Sequence, residues 1–150
     1  MEPYKLQIIS KKTAGNLQEN HIFLENLQKN RLTCKILDSA KEGTPLIRIG
    51  KGSPKIMLTA GIHGNELSPQ IAALLLAQKL TEGDAKGTVY LIPFAIPFAT
   101  MKSSRRFKGF DMNRTAFKEG SLSNEIIKVA RDLKLDSLAD FHATNPYSNP

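Results

Sequence analysis

The sequence predicts an α/β domain whose parallel strands are joined by crossover helices, and three observations predict it. The runs "KIMLTAG" (55–61), "GTVYLIPF" (87–94) and "DSLADFHA" (136–143) are apolar enough to be interior strands. Helical periodicity separates them, with Ile71, Leu74, Leu75 and Leu80 near one face of one segment and Ile126, Ile127, Ala130 and Leu133 on another. The order strand, helix, strand, long loop, helix, strand is the order of crossover connections, and 150 residues fit one domain, 1–150.

The elements follow in chain order. "KLQII" (5–9) reads as a short strand, and 17–28 stays open between helix and loop. "LTCKILD" (32–38) and "PLIRIG" (45–50) nearly alternate and are expected as strands, with "SAKEGT" (39–44) as the hairpin connection. Ser68 is the expected N-cap of the first crossover helix, Pro69 suits its first position and Gly83 ends it. After the second interior strand, 95–121 form a long irregular stretch, and such a loop in a compact domain is more often functional than idle. Ser123 is the expected cap of the last helix.

Composition narrows the classes. A hydrophobic share of 41% with 23% charged residues is that of a globular domain. No run reaches the roughly 20 apolar residues of a spanning helix. "MEPYKLQIISKK" has no apolar core of signal-peptide length, so a cytoplasmic setting is the expectation. Cys34 is the single cysteine and is expected as a small apolar strand residue. The net charge of +7 is scattered apart from "KSSRRFK" (102–108), which disfavours nucleic acid as a partner and fits either a solvated face or an anionic ligand.

Reactive groups in open α/β sheets gather beyond the carboxyl ends of the strands. Of the 3 histidines, His63 and His142 fall there. His63 and Glu66 share one tight turn, "HGNE", and His142 ends a neighbouring strand, a two-His, one-Glu set of the kind that holds catalytic zinc with a position left for water. An H-x-x-E spacing alone is weak, and a polar turn with Glu66 favouring the helix N-terminus is the bland account. Gly61 and Gly64 weigh against it by permitting a tight backbone. Asp140, two residues before His142 on a strand, shares its face and is placed either to orient that ligand or to form a strand-end salt bridge.

"GIHGNE", "DMNR" (111–114) and "ADFHAT" (139–144), in that order, resemble the zinc carboxypeptidase clan, most closely its succinylglutamate desuccinylase and aspartoacylase branch, over about residues 45 to 145. The resemblance implies a three-layer, mixed and mainly parallel sheet with crossover helices, here lacking the C-terminal strands. It implies one Zn2+ per chain on His63, Glu66 and His142. Arg106, with Arg105 as a substitute, would stabilise the oxyanion, while Asn113 and Arg114 would grip the substrate carboxylate. The implied substrate is an N-acyl amino acid or a peptide carboxylate, cleaved at its amide bond.

The general base of that family is a glutamate well downstream of the last ligand, and "ATNPYSNP" after His142 holds no carboxylate. Glu66 is committed to the metal, and Glu119 and Glu125 lie far along the chain. The reading expects metal binding and leaves open turnover by these residues alone. It ranks a shortened sequence first, a half-enzyme completed by another chain second and a reduced zinc-binding relative third. The rival class is a noncatalytic zinc- or anion-binding module that pairs with itself, as a homo-oligomer, or with a complementing chain through an open sheet edge.

Overall fold

The computed structural model describes residues 2–144. Of "ATNPYSNP", residues 145–150 lie outside them. The chain opens with β1 (Tyr4–Ser10), then α1 (His21–Glu25), α2 (Arg31–Ala40), β2 (Thr44–Lys51), β3 (Lys55–Ala60), α3 (Leu67–Glu82), β4 (Gly87–Ile92), α4 (Pro97–Met101), α5 (Leu122–Asp132) and β5 (Ser137–Phe141). Short 3-10 turns lie at Lys11–Thr13, Leu17–Glu19 and Met112–Arg114.

The five strands form one sheet in the order β1-β2-β4-β3-β5. β1 with β2 and β2 with β4 run antiparallel, while β3 with β4 and β3 with β5 run parallel. The sheet is therefore mixed, and its parallel half carries the candidate site. Alternation along the strands splits the core into two layers. Ile47, Ile49, Val89 and Leu91 face α2 and α3 through Ile36, Leu37, Leu74 and Ala77. On the other side Leu46, Met57, Tyr90 and Ile92 meet Ala99 of α4 and Leu122 and Ile126 of α5. The three-layer arrangement follows from these two faces.

Several local expectations are corrected. "LTCKILD" is helix α2: the Asn30 side chain accepts from the Thr33 N–H at 2.8 Å, and Leu32, Thr33, Ile36, Leu37 and Ala40 bury one helical face. The apparent alternation was a partial view of a 3.6-residue period, so Cys34 lies exposed on a helix rather than in a strand. "SAKEGT" consequently closes a helix instead of joining a hairpin, and β2 pairs with β1. Both expected N-caps shift by two residues. α3 begins at Leu67 with Glu66 at the N-cap position, so Pro69 sits third in the helix, still within the turn whose N–H groups lack helical partners. α5 is capped by Ser121, whose side chain accepts from Asn124 N–H.

Candidate metal centre

β3 ends at Ala60 and the chain turns through "GIHGNE" into α3, so His63 and Glu66 project beyond the carboxyl end of the parallel strands. Gly61 makes the turn at φ +79°, a left-handed conformation that suits glycine. Gly64 is needed for space: a Cβ there would overlap the backbone of Ala99 and Thr100 in α4. His142 follows β5, which lies beside β3 with Ala60 opposite Phe141, so the register delivers the second histidine next to the turn.

The side chains converge on one carboxylate. His63 Nδ1 lies 2.8 Å from Glu66 Oε1, and His142 Nδ1 lies 3.0 Å from Glu66 Oε2. One donor atom from each of His63, Glu66 and His142 falls within 4.8 Å of the others. The outer ring nitrogens are held by acids: His63 Nε2 by Asp111 Oδ1 at 2.7 Å and His142 Nε2 by Asp140 Oδ2 at 2.8 Å. Asp140 is steadied in turn by the Thr59 hydroxyl, which donates to its Oδ1 at 2.6 Å. Asp111 also accepts from the Asn113 N–H at 3.1 Å.

This pattern tests whether the residues suit a cation. A neutral histidine that donates Nε2–H to a carboxylate presents a lone pair at Nδ1. In both rings Nδ1 faces an oxygen of Glu66, where a ring proton bridges the pair when the histidine is charged and a lone pair is presented in the Nε2–H tautomer. A divalent cation can take the place of the bridging protons, and a nitrogen and oxygen set with acid-oriented histidines suits zinc. The donor set fits the metal.

Electrostatics keep the acids ionised. Burial pushes the Glu66 carboxyl up, but the Ala143 N–H, the His63 hydrogen bond and the charges of His63 and His142 together hold it below its ordinary value. Asp111 is also lowered, first by its hydrogen bond to His63, against burial, and further by the Asn113 N–H and by Arg105. Arg105 Nη1 donates to Glu66 Oε1 at 3.2 Å, and Nη2 lies 3.7 Å from Asp111 Oδ2.

The structure thus gathers His63, Glu66 and His142, places Asp140 as an orienting acid, and leaves Arg106 aside. The Arg106 guanidinium is exposed and makes one long bond, 3.4 Å, to the Gly109 carbonyl. Its neighbour Arg105 occupies the carboxylates instead. Asn113 and Arg114 are exposed on the 3-10 turn that follows Asp111. Asn113, Thr59 and Asp140 share the lining of a cavity of about 140 Å³. Sequence reasoning gave Asp111 and Thr59 no role. The signal for Asp111 was present, since it begins the quoted "DMNR".

Known proteins share the family and the fold. The succinylglutamate desuccinylase/aspartoacylase catalytic domain family matches residues 52–147. No curated protein sequence is matched. Among solved structures, an aspartoacylase family protein from Mesorhizobium loti is 29% identical with a TM-score of 0.56, covering 66% of this chain and 34% of that one. A succinylglutamate desuccinylase/aspartoacylase from Rhodobacter sphaeroides is 28% identical with a TM-score of 0.55, covering 67% and 34%. A metallo-carboxypeptidase from Burkholderia cenocepacia, 13% identical, shares the fold over 96% of this chain and 37% of its own, with a TM-score of 0.61. The chain therefore spans about a third of the length of these solved proteins. By the family match over most of its length, with the matched span running from the turn before β3 through β5, the chain belongs to the succinylglutamate desuccinylase/aspartoacylase catalytic domain family.

Proposed function

We propose that the chain carries the metal-binding part of a zinc-dependent hydrolase of the deacylase and carboxypeptidase type, acting on the amide bond of an N-acyl amino acid or a peptide carboxylate. The observation that carries this reading is the set of acceptor atoms from His63, Glu66 and His142 aimed at one point. Zinc, when bound, supplies a Lewis acid for the amide carbonyl and makes hydroxide available near neutral pH.

The chain's own residues divide the remaining work. Asp111 and Asp140 fix the ring orientation of the two histidines. Arg105 is already matched by two carboxylates and serves them as a counter-charge. Arg106, free of any acid among the described residues, keeps its positive charge for an oxyanion developing on the substrate, where one such donor is worth about 3 kcal/mol. Asn113 and Arg114 offer a neutral donor and a two-pronged cation to a substrate carboxylate.

Proton removal from water needs a base, and the carboxylates at the cluster are spent: Glu66 on both histidines and Asp111 and Asp140 on one each. Glu119 and Glu125 pair with Lys128 and Lys12 elsewhere. These residues alone are expected to bind metal with little turnover.

Zinc content of the purified chain, before and after His63→Ala, tests the reading. About one zinc per chain, lost in the variant, is expected; a folded unmutated chain with only trace metal overturns it. If the zinc-loaded chain does hydrolyse N-acyl amino acids, Arg106→Ala should lower kcat by about 100-fold or more, while Arg105→Ala should act chiefly on metal affinity. A second reading, a binding module that pairs through its sheet edge, is favoured by the exposure of Leu138 and Phe141 on β5.

A further inference from the structure

Behind the metal-site turn lies a fully buried amide, Gln70, in the first turns of α3. A buried side-chain amide is costly unless its donors and acceptor are all used. Here all are used. Gln70 Nε2 donates to the Glu66 carbonyl at 2.8 Å and to the Gly64 carbonyl at 3.3 Å, and Oε1 accepts from the Thr100 hydroxyl at 2.7 Å. The amide also packs beside Gly61, where an added Cβ would meet its Cδ and Oε1 at 3.1 Å.

The polarity of this network is fixed from both ends. Two carbonyls on the turn require the NH2 to face them, so Oε1 must face Thr100. The Thr100 hydroxyl has one proton, and Gln70 Oε1 at 2.7 Å is its nearer acceptor, the Ile96 carbonyl lying at 3.4 Å. Thr100 is buried in α4, and its own carbonyl accepts from the Asn20 side chain at 2.7 Å, while Asn20 Oδ1 accepts from the Phe23 N–H at 3.1 Å. A continuous buried chain of hydrogen bonds thus runs from α1 through α4 to the backbone that carries His63 and Glu66.

We propose that Gln70 is the positioning residue of the metal site, locking the Gly64 and Glu66 carbonyls so that the His63 and Glu66 side chains meet at one point, with Thr100 as its anchor. The proposal rests on the metal-binding reading above. It assigns Gln70 no contact with metal or substrate. Its effect is on the geometry of the turn, which the two histidine-orienting acids do not control.

The test compares zinc affinity, by competition with a chromophoric chelator, and the visible spectrum of the Co2+-loaded chain across Gln70→Leu, Gln70→Glu, Thr100→Val, Thr100→Ser and the remote control Asn30→Ala. Gln70→Leu and Gln70→Glu should raise the zinc Kd about tenfold or more and alter the cobalt bands. Thr100→Val should act in the same direction more weakly, and Thr100→Ser, which keeps the hydroxyl, should restore the unmutated values. Asn30→Ala should lower the unfolding midpoint of the metal-free chain and leave Kd and spectrum unchanged, so general destabilisation is separated from positioning. Gln70 variants with unmutated affinity and spectrum overturn the proposal. Should they fail to fold, the two Thr100 variants decide it, equal affinities overturning it. An unmutated chain that takes up no zinc fails the metal reading itself, a result distinct from zinc binding that ignores Gln70.

Discussion

Each histidine of the candidate metal centre is held at its outer nitrogen by an acid, and both inner nitrogens meet Glu66. Without a cation, ionised Glu66 and Asp111 are favoured by the N–H groups and positive charges around them, and both acids sit below their ordinary values. The sign of the pH effect follows. An unfolded chain protonates these carboxyls at higher pH than the folded one, so the stability they contribute is fully present above the ordinary carboxylate range and is lost as pH falls through the lowered values. Denaturant titrations of the chelator-treated chain should therefore show a plateau near neutral pH and a decline on acidification. Glu66→Gln should flatten part of that decline, and an unchanged acid limb in the variant would contradict the role given to this carboxylate.

At the scale of elements, the turn between β3 and α3 depends on how closely α4 approaches it. Gly64 lies against the backbone of Ala99 and Thr100, with no room for a methyl group. Backbone cannot yield as a flexible side chain can, so Gly64→Ala should cost about 3 kcal/mol and displace the turn. Thermal unfolding together with zinc titration checks this, and a variant of unchanged midpoint would refute the close packing. The sequence made the glycines of this turn visible without showing that one serves conformation and the other space. It exposed β3 and β4 as continuous apolar runs, α3 as a long apolar segment between them and α5 by its helical period, and it exposed His63 and His142 because they follow strand ends, with Glu66 on the same turn as His63. It misread α2, where Leu32, Cys34, Ile36 and Leu37 mimic alternation in a short window while Ile36, Leu37 and Ala40 carry the helical face. Gln70 was not legible because its importance comes from Thr100, 30 residues away in another element.

At the scale of the molecule, β5 is the outermost strand of the parallel half among the described residues, and its inner side pairs with β3. Among the described residues its outer side has no strand partner, and Leu138 and Phe141 on it are 44% and 37% exposed. An edge of this kind offers unpaired N–H and C=O groups together with apolar surface, the combination that templates strand addition. Opposing this, the chain carries a net charge of +7, and Arg131 and Lys134 border the shallow apolar depression beside Leu138. Like charges repel across a symmetric contact, and salt screens that repulsion within about 10 Å at 0.1 M. Self-association should therefore be weak at low ionic strength and should strengthen as salt is raised, the reverse of a charge-driven contact. Leu138→Lys, which places a charge on the edge itself, should suppress it at every salt concentration. Sedimentation velocity across concentration and salt measures this directly. A chain that stays monomeric at high concentration and high salt would remove edge pairing between copies and leave the proposed metal-binding reading as the one to test.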